Sequence, residues 1–171
     1  MTVFILLILT AISPLELEQK GRLPEAGSAW EESGNLQGQI RIMGRLIEEA
    51  IYAGDGRRAV VLSLELHSVC RNEDLLNFWD ARIAWISGLS GYASEKLYSM
   101  SPADPWLLHR AHGLAALFQD DGETAARELI LSIASASTSR KAFWSALDLC
   151  SAYLTLGNYE DALYLSRLIH I

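Results

Sequence analysis

The sequence predicts an all-α fold, an α-solenoid of about four antiparallel helical hairpins with a 34-residue period, and three observations carry that prediction. Turn-like glycines recur at Gly54, Gly88, Gly122 and Gly157, spaced 34, 34 and 35 residues apart. Self-similarity at a fixed period of this length marks a stack of repeated units, none of which can bury its apolar face alone. Apolar residues recur at helical spacing: Ile40, Met43, Leu46, Ile47, Ala50 and Ile51 form one stripe, and Ala59, Leu62, Leu66, Val69 and Cys70 another. Helices that bury one face show this pattern, and the alternation expected of strands is absent. Start signals separate the stripes. Asn72 can cap the helix that follows it, and Asp104-Pro105 supplies a capping side chain followed by a proline at the first helical position.

Taken from the N-terminus, the first element is the apolar run Val3 to Ile12. It is short for a membrane span, which needs about 20 residues, and has the length of a signal-peptide core. Residues 1–13 are therefore read as a signal-like or anchor segment, and the chain is expected to be exported: periplasmic, extracellular or membrane-tethered. A cytoplasmic location stays open, because no Lys or Arg precedes the run and Pro14 follows the candidate cleavage point. Residues 14–38 carry Pro14, Gly21, Pro24, Gly27, Gly34 and Gly38 among scattered charges. This composition reads as a linker with little regular structure. Helices are then expected at 39–53, 57–70, 74–87, 91–100, 105–120, 123–136, 140–156 and 159–171, forming one repeat domain over 39–171.

Composition narrows the function. Of 171 residues, 50% are hydrophobic and 21 acidic residues stand against 14 basic ones, a formal charge of -7. That is enough apolar material for one well-packed domain. Lysine occurs only at Lys20, Lys96 and Lys141, and no basic cluster is present, so the chain lacks the cationic stripe that nucleic-acid binding requires. Cys70 and Cys150 show no metal-binding or redox spacing and are expected to act as small apolar side chains.

A small residue follows three of the turn glycines by five positions, as Ala59, Ala93 and Ala162, whereas the Gly122 unit has Arg127 there and Ala126 one place earlier. The glycine permits a turn between two helices, and the alanine permits their close approach. In the last unit Leu149, Tyr153, Gly157, Tyr159 and Ala162 fall on signature positions, and the chain resembles the tetratricopeptide-repeat family over about residues 39–171. Related α-solenoids share the same hairpin. The resemblance implies a concave groove lined by the first helix of each pair. Counting back from each glycine places Arg41, Gly44 and Glu48 there from the first unit, and Leu75, Phe78, Arg82 and Trp85 from the second. His109 and His112 come from the third, and Trp144 and Leu147 from the fourth. Phe78, Arg82, Trp85, His109, His112, Trp144 and Leu147 are the candidate partner-binding residues. Family members that bind chaperones grip a terminal carboxylate with Lys, Arg and Asn at such places. The aromatic, aliphatic and histidine side chains here point instead to an apolar peptide or helix.

Catalytic readings gain little. There is no GxSxG elbow and no GxxxxGK[ST] loop. His109 and His112 share a helix face but have no placed third ligand, so a metal-dependent enzyme is the weaker alternative. The pair Glu48-Glu49 reads as a solvated face. The expectation is a non-catalytic protein- or peptide-binding scaffold with no cofactor and no metal, and with membrane association only through the N-terminal segment. The rival is a self-associating or truncated segment of a longer solenoid, because the apolar terminus Leu168-Ile169-His170-Ile171 stands where a solenoid carries a polar cap.

Overall fold

Helix starts are set by side-chain caps that occupy otherwise unpaired backbone N–H groups. Asn35 accepts from Gly38, Asp55 from Arg58, Asn72 from Leu75, Asp104 from Trp106, Asp121 from Thr124 and Thr138 from Lys141. The computed structural model describes residues 13–169, and its regular structure is entirely helical. The helices are α1 (Pro14–Gln19), α2 (Leu23–Glu32), α3 (Leu36–Tyr52), α4 (Gly56–Val69), α5 (Glu73–Ile86), α6 (Ser90–Tyr98), α7 (Pro105–Leu117), α8 (Gly122–Ala134), α9 (Ser139–Thr155) and α10 (Tyr159–Ile169). The eight expected helices thus appear with ends shifted by a few residues.

They pack as four antiparallel pairs, α3 with α4, α5 with α6, α7 with α8 and α9 with α10, and the second helix of each pair packs on the first helix of the next. Ala59, Ala93, Ala125 and Ala162, all buried, lie near the start of the four second helices. One apolar core runs from α3 to α7 around Ile47, Leu66, Phe78 and Leu97, and a second joins α7, α8 and α9 around Leu129, Leu149 and Ala152. The apolar segment expected at residues 1–13 lies, apart from Ser13, outside the described residues. Among those described, no helix is long and apolar enough to cross a membrane.

Two expectations are corrected. Residues 14–38 are not an unstructured linker. They fold as the short α1, the ten-residue α2 and the first turn of α3, and Leu17, Leu23 and Ala26 pack with Ile42 and Leu46 in a third core. The prolines that suggested irregular chain occupy first-turn positions of α1 and α2, where a missing N–H costs nothing. The third turn also differs. Gly54, Gly88 and Gly157 adopt the left-handed conformation, but in the third unit Asp120 does so, at φ 60°, and Gly122 is the first residue of α8. Counted from Asp120, the alanine five places on is Ala125, which is fully buried. The departure at Arg127 is therefore a two-residue offset of the turn.

Candidate functional site

The first helices α3, α5, α7 and α9 come together around a cluster of four buried charges, one from each helix. Glu48, Arg82, Arg110 and Asp148 are each at most 3% exposed. Arg110 donates to Asp148 at 2.7 Å through Nε and to Glu48 at 2.5 Å through Nη1. Arg82 donates to the other Glu48 oxygen and lies 3.8 Å from Asp148. Tyr52, at the end of α3, donates its hydroxyl to Asp148 and stacks on Trp144 with ring centroids 5.5 Å apart. The first and fourth pairs are thus joined directly across the array.

Burial alone would disfavour charge on either arginine, but the carboxylates of Glu48 and Asp148 outweigh it and raise both guanidinium pKa values. For Tyr52 burial and the adjacent Asp148 act together, both disfavouring the phenolate and raising its pKa. Aromatic faces complete the cage. Arg82 lies over Tyr52, and Arg110 lies over Phe78 and Trp106, at 5.2, 5.3 and 5.4 Å from the ring centroids. Glu48 was expected on a solvated face. It is instead the shared acceptor of two buried arginines.

Beside this cluster, toward the N-terminal ends of the same four helices, opens a cavity of about 710 Å³. Its walls include Ile40, Leu75, Trp79, Trp106, Leu107 and Trp144, with Arg110 and Glu48 reaching it from the cluster. Gly44 makes room for the Trp79 indole, because a β-carbon there would lie 3.3 Å from the ring. Trp106 is held from behind: its indole N–H reaches Lys141 O and Ser145 Oγ, at 3.1 and 3.0 Å. Lys141 sits 4.6 Å over its ring and bonds Asp104 at 2.6 Å. Basic side chains lining the cavity number five, Arg41, Arg45, Arg110, Arg140 and Lys141, against three acidic ones.

The candidate partner-binding residues divide. Trp144 lines the cavity, while Phe78 and Arg82 are buried behind it in the core and the charge cluster. Trp85 stacks on Phe118 at 4.6 Å and, like the half-buried Leu147, is not among the lining residues. His109 and His112 belong elsewhere: His109 bonds Glu128 of α8 at 2.9 Å, and His112 packs against Tyr98 of α6. Among the described residues no three His, Cys, Asp or Glu side chains are grouped as a metal site would require. The two-residue offset explains the misplacement. Counted from Asp120, the groove positions of the third unit are Leu107 and Arg110, not His109 and His112.

Arg45, Trp79, Arg110 and Asp148 went unread in the sequence. One signal was present: Glu48 and Arg82 are opposite charges 34 residues apart at the same place in consecutive units. No family model matches the chain, and no curated protein or solved structure is significantly similar to it.

Proposed function

We propose that the chain is a non-catalytic binding module, similar to tetratricopeptide-type scaffolds, that holds a segment of another protein in the cavity between its four first helices. The supporting observation is the cavity itself: all four pairs contribute to one open, aromatic-walled space of about 710 Å³, within the range of specific binding sites. The charge cluster closes its deep side, so a short extended segment suits it better than a helix, which with side chains is about 10–12 Å across. The apolar residues 3–12 support placing this module outside the cytoplasm or on a membrane.

The test is a pull-down with the full chain beside a variant whose cavity mouth is blocked by Gln37→Trp and Ala103→Trp. Both positions are exposed lining residues, so the fold should survive, as circular dichroism would verify. A protein retained by the original and lost by the blocked form is the expected result. Equal retention by both would remove the cavity from consideration.

A second reading, self-association, draws on α10, where Tyr159, Leu163, Tyr164 and Leu168 are each more than half exposed. Light scattering separates it. A dimer that dissociates with Leu163→Glu would favour this reading, and a monomer at all concentrations would exclude it.

A further inference from the structure

Three buried hydrogen-bond donors on side chains that line the cavity have no acceptor among the described residues. They are Nη1 of Arg45, Nε1 of Trp79 and Nη2 of Arg110, and all three atoms are buried. A buried donor without a partner costs on the order of 1–3 kcal/mol, more when charged, and native proteins leave only a small minority of buried polar groups unpaired. Three on the wall of one cavity, two of them on cations, are explained together by an acceptor that arrives from outside. Because all three only donate, the complementary group is an acceptor with several lone pairs and negative charge.

The surrounding charges agree. Glu48 and Asp148 are occupied by Arg82 and Arg110, Asp104 by Lys141, and Arg41 takes the near oxygen of Glu18 at 2.5 Å. Arg45 lies 3.5 Å from the other Glu18 oxygen without forming an aligned hydrogen bond. Burial, and then the positive charge of Arg140 at the start of α9, hold its guanidinium below the usual arginine range. Two cations close enough to repel across a cavity leave a position between them where an anion would be stabilised. Asp74 lines the same cavity from α5 and would disfavour a highly charged ligand.

We propose that the cavity is an oxyanion site, in which Arg45, Trp79 and Arg110 donate to a carboxylate or phosphate group while the tryptophan walls take its apolar attachment. The inference rests on the binding-module reading only for its source: a bound segment would present the oxyanion as an Asp or Glu side chain flanked by apolar residues. A free phosphate-type anion would use the same donors.

The experiment is a titration of the full chain, at constant ionic strength, followed by the indole N–H resonances in nuclear magnetic resonance. Trp79→Phe assigns the Trp79 signal, and Trp30 and Trp85, which lie outside the cavity lining, are internal controls. The probes are inorganic phosphate and the blocked tripeptides Leu-Glu-Leu and Leu-Gln-Leu. A saturable shift of Trp79 with phosphate and with the Glu peptide but not the Gln peptide is expected, weakened by Arg45→Gln about tenfold. Arg110→Gln is avoided, since it would also break the charge cluster. A response to phosphate alone supports the site and assigns it to a free anion instead of a segment. No selective Trp79 shift with either anion overturns the inference, even if the blocked-mouth experiment shows a protein held in the cavity. A selective shift with no captured protein sinks the segment reading alone.

Discussion

Glu48 is the residue on which the centre of the molecule depends, because one carboxylate serves two buried guanidinium groups. Bringing four charges out of water is offset only while each keeps its opposite partner. Glu48→Gln leaves Arg82 and Arg110 with Asp148 alone, so urea unfolding should show a loss of about 3–5 kcal/mol, the usual result of breaking a buried pair from one side. Replacing all four residues with apolar ones of similar volume should restore most of that stability, since no charge is then left bare. If Glu48→Gln costs under about 1 kcal/mol, as for exposed pairs, the cluster is solvated and this account fails. Little of this was legible in the sequence. Each charge sits in a stretch that reads as an amphipathic helix, and charged residues are assigned to solvent unless a partner is known. Those partners are 34, 38, 62 and 66 residues away, beyond any local pattern. The aromatic residues were legible as important but not as to role. Phe78 and Trp144 were both candidate partner-binding residues, yet one is core and the other cavity wall.

At the scale of elements, the helices follow from caps, apolar stripes and turn residues, and this is why the pairs from α3 onward were predictable nearly to their ends. Two places defied the same logic. Asp120 takes the conformation that glycine holds in the other turns, and Asp is one of the few residues that tolerate it. The register of α7 slipped by two residues as a result. In α1 and α2 the prolines and glycines that signal irregular chain sit where helices accept them, and Gly38 leaves the space filled by the Trp30 ring.

Besides the third core, these two helices are fastened to α3 by Glu18, which accepts from Trp30 at 2.7 Å and from Arg41 at 2.5 Å. Burial would raise the carboxyl pKa, but those two hydrogen bonds and the charges of Arg41 and Arg45 bring it below 4.5, its ordinary value. A lowered folded-state pKa gives stability that is complete above the unfolded value and is lost as pH falls through the folded one. Acidification below about pH 4.5 should therefore loosen α1 and α2, as amide exchange would detect. Glu18→Gln should remove that pH dependence while leaving α5 to α10 unaffected; loosening at neutral pH throughout the chain would contradict it.

Across the whole molecule, contacts run mainly between neighbouring helices, as in stacked arrays generally, whose units can unfold separately. The charge cluster is the exception, and within it Tyr52 and Asp148 meet across 96 residues. Tyr52→Phe removes one hydrogen bond to a carboxylate and should cost about 2 kcal/mol. Asp148→Leu should do more than lower stability: thermal unfolding followed at Trp30 and at α9 should coincide in the original and separate in the variant. Coincident transitions in both would mean that neighbour contacts alone carry the cooperativity. An array whose units touch only their neighbours can be lengthened, shortened or shuffled, and evolution and protein engineers both exploit this freedom. A cluster that takes one charge from each of four units removes it: inserting a fifth pair, deleting one or exchanging two would strand a guanidinium or a carboxylate in the interior. The order of these four units is then fixed by charge neutrality, much as a combination lock opens only to its numbers taken in one order.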